Sequence, residues 1–226
     1  LTTKYNFLFN GNNLYAEGVL DLENDVRENF WNLIPIEKFK YYDLDDEERE
    51  TNFTRAEEKA TLAIQKHSMN VDGKERNPIM DQAYFLLGKS RYYDNRFIPA
   101  LEAFNYILYK YPTSEYINKV KIWKEKINIR LNQNKYAIDN LKELMEEENL
   151  LNEEISIANS YIAQAFINIE QIDSAAYYLK KANQQNNNIK NNFRKTFLLA
   201  QLYQDLSISD TAYTLYSEII DLHRKI

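Results

Sequence analysis

The side chains that most often do chemistry in enzymes are sparse in this sequence of 226 residues. Cysteine is absent, and the two histidines, His67 and His223, lie far apart along the chain. Each falls near the end of a predicted helix, where an imidazole usually faces solvent or interacts favourably with the helix dipole. We therefore predict no thiol nucleophile, no catalytic histidine and no zinc site.

Carboxylates are clustered at residues 43–48 and 146–148. Neither cluster has the alternating oxygen ligands and central glycine of a calcium-binding loop, so we interpret both as solvated helix ends or faces. No nucleophile elbow, zinc-binding helix, phosphate loop or dinucleotide fingerprint occurs, and no carboxylate pair is singled out for glycoside hydrolysis. The sequence predicts a protein that is not an enzyme and that binds no cofactor or metal.

Composition favours a helical fold and disfavours a nucleic-acid partner. With 4 glycines and 4 prolines, the chain is poor in the residues that tight turns of sheet proteins need. The net charge of −6 provides no basic stripe for phosphates. No apolar run is long enough to span a membrane. The chain begins at Leu1 instead of methionine, and we expect it to be a piece of a longer protein.

The elements that must position any binding site are read from a repeat. Seven residues between 81 and 112 fall at the spacing of the tetratricopeptide consensus: Tyr84, Leu87, Gly88, Phe97, Ala100, Phe104 and Pro112. The small residues Gly88 and Ala100 would let two antiparallel helices approach closely. Pro99 fits the first turn of the second helix, where its missing N–H costs nothing.

The same pattern recurs along the chain at Ala100, Ala137, Ala175 and Ala212, in steps of 37, 38 and 37 residues. Twelve residues before each alanine stand Gly88, Glu125, Ala163 and Ala200, and Glu125 predicts a looser helix crossing or a shifted register there. We predict an all-α fold, a right-handed tetratricopeptide-repeat solenoid with four repeats at about 78–113, 115–150, 152–187 and 190–226.

Residues 1–76 are predicted to pack on the solenoid formed by residues 77–226. Within them, residues 4–24 are interpreted as a helical hairpin turning at residues 10–12, and residues 53–69 as one helix. Residues 28–46 are interpreted as a connector along the solenoid edge, with its aromatic side chains tucked in and its acids solvated. The last helix, about 209–225, has no polar cap after it, so we expect the protein to continue past residue 226.

The first helix of each repeat lines the inner groove of a tetratricopeptide solenoid. In this chain the groove positions are basic and aromatic, although the protein is acidic overall. Aromatic and arginine side chains are enriched at binding hot spots. The predicted protein-binding groove consists of Phe85, Lys89, Tyr92, Tyr93, Lys119, Trp123, Lys126, Arg130, Tyr161, Gln164, Asn168, Arg194, Phe197 and Gln201.

Packing between neighbouring repeats is an alternative role for Phe85, Trp123 and Phe197, and it stays open at this point. The lysine and asparagine set of a chaperone-type carboxylate clamp is not found among these positions. The groove as a whole favours binding over pure packing.

Several stretches resemble the SprE/PorW family: residues 4–11 (Lys-Tyr-Asn-Phe-Leu-Phe-Asn-Gly), residues 30–35 (Phe-Trp-Asn-Leu-Ile-Pro), residues 53–69, residues 77–108, and Trp123 with residues 128–131. The resemblance covers the whole chain and corresponds to the N-terminal part of that longer family. It implies an outer-membrane lipoprotein that faces the periplasm and serves type IX secretion and gliding motility. The lipid-bearing cysteine would lie just before residue 1, outside this chain.

The expected function is that of a scaffold whose partners are other proteins, namely components of a secretion machine. An outer-membrane helical-repeat lipoprotein that binds glycans is the alternative, with tyrosine and tryptophan rings stacking on sugars. Such glycan binders usually carry long inserted loops, which this chain lacks. A third possibility, an enzyme with an unrecognised site, would require an activity that depends on one acid or histidine.

Overall fold

In a computed structural model, residues 2–42, 50–72, 74–75, 77–147, 149–185 and 189–223 are described. Ten α-helices account for most of this part of the chain: α1 Thr2–Asp25, α2 Asn52–His67, α3 Met80–Tyr93, α4 Phe97–Lys110, α5 Ile117–Arg130, α6 Asn134–Glu147, α7 Asn152–Asn168, α8 Ile172–Gln184, α9 Ile189–Asp205 and α10 Ser209–His223. A short antiparallel pair, β1 Asn70–Val71 and β2 Lys74–Glu75, lies between α2 and α3. The predicted all-α class is confirmed.

The N-terminal segment is one continuous helix, so the predicted hairpin at residues 10–12 is wrong. Gly11 serves a close helix contact instead of a turn. A Cβ on Gly11 would lie 2.8 Å from Leu86 Cδ2, and one on Gly18 would lie 2.9 Å from the Phe53 ring. The two glycines lie one heptad apart on α1, which allows this helix to pack closely against its neighbours.

Four turns with the same geometry join helix pairs α3–α4, α5–α6, α7–α8 and α9–α10. Each contains a residue with positive φ, and the residues are Asn95, Asn132, Glu170 and Ser207. The N–H of the next residue donates to the carbonyl five residues back, as in Arg96 N–H to Arg91 O at 2.9 Å. This 6→1 bond is the mark of a Schellman motif, which satisfies the last carbonyls of a helix.

The predicted alanine positions occupy equivalent places after these turns. Ala100, Ala137, Ala175 and Ala212 are each buried and lie five residues after the positive-φ residue. Each alanine N–H closes the first turn of its helix, as in Ala137 N–H to Gln133 O at 3.0 Å. The turn before Ala137 has the same bonds as the others, so Glu125 has not shifted the register there.

The described chain divides into two compact units. Unit 1 contains residues 1–27 and 38–127, and unit 2 contains residues 28–37 and 128–226. The boundary between the two units falls inside α5. The division between residues 1–76 and residues 77–226 that the sequence suggests stays a prediction. Ten residues of the predicted connector, residues 28–37, therefore belong to unit 2, although the chain on both sides of them belongs to unit 1.

Each unit has its own apolar core. In unit 1, α1, α2 and α3 pack together around small and aliphatic residues that include Leu8, Ala60, Ala63, Met80 and Leu86. In unit 2, α6 to α10 pack each on the next, and Ile162, Leu179, Leu198 and Leu202 are fully buried. Small residues at the helix crossings and leucines between them explain the regular stacking.

The recurring turn makes a prediction about stability. Glu170 has a φ of 60°, a left-handed conformation that costs a non-glycine residue about 1 kcal/mol. We expect Glu170→Gly to raise the free energy of unfolding by about 0.5–1 kcal/mol, measured by urea denaturation. Glu143→Gly, at an exposed position within α6, is the matched control and should lower it by about 1 kcal/mol. Destabilisation by both substitutions would contradict the assigned turn.

Candidate functional site

The first helices of the repeats in unit 2 bind the chain's own residues 28–37, here called the internal segment. The groove positions involved, here called the A-helix face, are Arg130 on α5, Tyr161 and Gln164 on α7, and Arg194, Phe197 and Gln201 on α9. All belong to unit 2, as does the internal segment. The structure thus brings these six predicted positions together on one stretch of chain that includes a turn at residues 29–32 and lies outside helices and strands.

Gln201 makes three hydrogen bonds to the backbone of the internal segment. Its Nε2 donates to the carbonyls of Phe30 and Asn32 at 3.0 and 2.7 Å, and its Oε1 accepts from the Ile34 N–H at 3.1 Å. One buried amide side chain therefore satisfies three backbone groups of this segment. Such groups would be costly to bury without partners.

Two further side chains continue this backbone recognition. Gln164 Oε1 accepts from the Ile36 N–H at 2.8 Å, and Arg194 Nε donates to the Pro35 carbonyl at 2.9 Å. Gln164 and Gln201 follow Ala163 and Ala200 and are 37 residues apart, so they hold equivalent positions in successive repeats. Equivalent amides thus bind the N–H groups of Ile34 and Ile36.

Acidic side chains anchor both ends of the internal segment. The Arg194 guanidinium donates to both carboxylate oxygens of Glu28, with Nη1 to Oε2 at 2.8 Å. At the other end, Glu37 accepts from Arg130 Nη2 at 3.0 Å and from the Tyr161 hydroxyl at 2.8 Å. Charge-assisted bonds to half-buried or buried carboxylates are stronger than neutral ones, and the bidentate pair adds directional specificity.

Apart from Ile34, the apolar side chains of the internal segment are at least partly exposed. Ile34 is 3% exposed and is the segment's buried hydrophobic anchor. Phe30 meets the Phe197 ring edge-on at 5.5 Å but stays mostly exposed, and Trp31 is 97% exposed. The prediction that the connector's aromatics are tucked in is therefore wrong for Trp31 and also for the exposed Tyr41. Hydrogen bonding of the backbone and the two acids decides how this segment lies.

A cavity of about 500 Å³ remains beside the internal segment. Residues 30–33 form one wall, and α9 and α10 contribute Phe197, Gln201, Gln204, Asp205 and Tyr216. The Tyr216 hydroxyl donates to Gln204 Oε1 at 3.1 Å. The internal segment thus leaves part of the A-helix face unfilled.

In unit 1, the groove positions form an aromatic cluster with buried lysines. Tyr92 and Tyr93 are buried, and their rings contact Trp123 at 5.3 and 6.1 Å between centroids. Lys126 is also buried, with Nζ 3.6 Å from the Trp123 ring centroid. Phe39, just after the internal segment, packs against Tyr92 at 5.3 Å. These positions therefore contact their own chain, and partner binding at them stays a prediction.

Lys89 is a second lysine among the aromatic rings of this cluster. Its Nζ lies 4.2 Å from the Tyr15 ring centroid and 5.0 Å from that of Phe85. Burial, followed by the neighbouring charges of Lys126 and Lys119, lowers the pKa of Lys89 to about 8. Phe85 is itself buried against Phe104, Tyr116 and Trp123, so the packing alternative describes this residue.

The remaining predicted positions have lesser roles. Lys119 is exposed near the Tyr116 ring, and exposed Asn168 links Gln164 to Asn134 through hydrogen bonds of 2.9 Å.

Sequence reasoning missed Glu28 and Glu37, because nothing in their spacing connects them to arginines 166 and 93 residues away. The negative charge of these two residues, opposite to that of the basic groove positions, is the sequence feature that could have indicated the pairing. The predicted solvated acids at 43–48 lie outside the described residues, and Glu50 is exposed.

No group of three or more potential ligands for a metal ion is found among the described residues. His67 lies at the end of α2 with its ring 5.9 Å from that of Phe7, and His223 is the last residue of α10. Within the described ranges, no helix is both long enough and apolar enough to cross a membrane.

The helical architecture has counterparts among solved structures. Three structures of MamA align with a TM-score of 0.55: "Crystal structure of MamA" at 16% identity, over 82% of this chain and 98% of that one; "MamA 41-end from Desulfovibrio magneticus RS-1" at 14%, over 77% and 87%; and "MamA RS-1 ArsTM double mutant" at 13%, over 77% and 86%. MamA is a tetratricopeptide-repeat helical protein, and the predicted repeat class of this fold is confirmed. No family model and no curated protein matches the chain.

The buried lysine predicts how stability depends on pH. Between pH 8 and 10.5 the unfolded chain retains a proton that folded Lys89 has released, so the free energy of unfolding should rise with pH. Lys89→Met should remove this contribution and stabilise the protein at pH 7 by about 1–3 kcal/mol. Urea denaturation at pH 7, 8 and 9.5 checks this. Lys124→Met, at a half-buried position on α5, is the control, and an identical pH slope in all three proteins would contradict the assignment.

The amide contacts predict a second stability difference. Gln201→Ala leaves three backbone groups of the internal segment without their partner and should lower the free energy of unfolding by about 1–3 kcal/mol. Gln204→Ala, at an exposed position one turn further along α9, should change it by less than about 0.5 kcal/mol. Equal losses in the two variants, followed by circular dichroism in urea, would show that the Gln201 contacts contribute nothing.

Proposed function

We propose that this protein is a non-enzymatic scaffold that binds other proteins through the first helices of its repeats. The observation that carries the proposal is the A-helix face of unit 2, which holds a stretch outside helices and strands by side-chain bonds to its backbone and its acids. Such a face recognises a peptide segment without requiring a helix or a strand from it. The tetratricopeptide-type fold shared with MamA fits a role in binding proteins.

The resemblance to the SprE/PorW family supports a more specific form of this proposal. The protein would face the periplasm from the outer membrane, attached by a lipid on a residue outside this chain. Its partners would be components of the type IX secretion system, and in gliding bacteria it would serve motility. The resemblance rests mainly on packing residues, so it supports kinship more than it supports any one contact.

Site-specific photo-cross-linking in the native cell tests the scaffold proposal. A photoreactive residue at Gln204, exposed beside the A-helix face, should form cross-links that mass spectrometry assigns to a secretion-system component. The same residue at Lys180, exposed on α8, is the matched control and should not. Arg194→Gln should reduce the Gln204 cross-link at least tenfold. Cross-links to the same component from Lys180 alone would contradict binding through this face.

A further inference from the structure

The internal segment occupies unit 2 in the manner of a bound peptide. Five of its backbone N–H and C=O groups pair with side chains of α7 and α9, and the Asn32 N–H closes a turn on the Asn29 carbonyl at 3.0 Å. Its two end carboxylates, nine residues apart, pair with arginines of α5 and α9. A groove binds a peptide segment in the same way, through side chains that pair with its backbone and its charged residues.

This bound segment fills its site incompletely. The cavity of about 500 Å³ lies between residues 30–33 and α9 and α10, and Trp31 on its wall is 97% exposed. Unfilled volume beside a ligand forfeits dispersion contacts that a larger side chain would make. A peptide that makes the same backbone contacts and fills this cavity with a larger side chain would therefore have a higher affinity for the face than the internal segment has.

The cores of the helices do not depend on the internal segment. Helices α6 to α10 pack on one another through residues such as Ile162, Leu179 and Leu202, which belong to the helices themselves. Within the segment, Ile34 is the buried hydrophobic residue among those described. Removing the segment would expose little apolar surface, so its release costs less than unfolding the unit.

We propose that residues 28–37 act as a tethered inhibitor of the A-helix face of unit 2, and that a segment of a partner protein with matching acidic and apolar residues displaces them. The inference rests on the proposed scaffold function and adds its regulation. A tethered segment competes at an effective concentration on the order of millimolar, so the free face is rare until a better ligand arrives. A partner would thus bind the A-helix face only through a segment that outcompetes the internal segment.

The face specifies the chemistry of that partner segment. The partner segment carries one acidic residue that pairs with Arg194. A second acidic residue, nine positions later, pairs with Arg130 and Tyr161. Between them, a bulky aromatic residue enters the cavity beside Phe197, and an aliphatic residue takes the place of Ile34. The backbone of this segment must leave two N–H groups free of its own hydrogen bonds, because the side chains of Gln164 and Gln201 accept from the equivalent groups of Ile36 and Ile34.

Fluorescence anisotropy with a labelled synthetic peptide of residues 28–37 tests this inference on the full chain. The double variant Glu28→Gln/Glu37→Gln weakens the internal segment and leaves the face intact, so it should bind the peptide at least tenfold more tightly than the unmodified protein. Glu17→Gln/Glu58→Gln, at exposed positions on α1 and α2, is the charge-matched control and should bind as the unmodified protein does. Adding Arg194→Gln to the first double variant should weaken binding at least tenfold.

Equal affinity of the folded double variant and the unmodified protein would overturn the inference. A second measurement uses a different variant and so does not depend on the folding of the double variant. Because the chain contains no cysteine, a single introduced thiol can be labelled specifically. Ile34→Cys places a thiol at the buried anchor, and its reaction with a maleimide should accelerate at least fivefold when unlabelled peptide is added. Tyr213→Cys, at an exposed position on α10, should react at a rate that the peptide leaves unchanged.

A labelling rate at Ile34→Cys that stays constant up to millimolar peptide would equally overturn the inference. The two proposals fail separately. If the cross-links at Gln204 still form while the thiol stays protected, the protein is a scaffold whose internal segment is a permanent part of unit 2.

Discussion

A stretch of chain outside helices and strands must find other hydrogen-bond partners for those of its N–H and C=O groups that are shielded from water. In unit 2 that constraint is met by side chains of the first helices of the repeats. Gln201 alone pairs with three backbone groups, and Gln164 and Arg194 pair with two more. The polar character of these helices follows from this demand, because an apolar face would leave the backbone groups of residues 28–37 unpaired.

The repeat is what places these side chains where the segment needs them. The Schellman turns at Asn95, Asn132, Glu170 and Ser207 hold each helix pair in the same register, in steps of 37, 38 and 37 residues. At the position that follows each small residue of the first helix stand Lys89, Lys126, Gln164 and Gln201. The lysines lie among aromatic rings in unit 1, and the glutamines bind the backbone of the internal segment in unit 2. One structural position thus serves two kinds of contact.

The parts of this arrangement that depend on local spacing could be predicted from the sequence, and the parts that depend on distant pairing could not. The alanine steps predicted the helices and the equivalent groove positions, because packing of small residues imposes a period on the chain. The ion pairs of Glu28 and Glu37 join residues too far apart for any period to reveal. Gly11 was interpreted as a turn because a glycine between asparagines is a common turn signal, but close packing on Leu86 explains it.

Amide hydrogen exchange of the full chain tests whether the A-helix face holds the internal segment, because Gln201 and Gln164 accept hydrogen bonds from the N–H groups of Ile34 and Ile36. We expect both amides to exchange at least a hundredfold more slowly than in a free peptide of residues 28–37, and Gln201→Ala to remove the protection at Ile34. Exchange of both amides at the rate of the free peptide would contradict the account, since the face would then be empty.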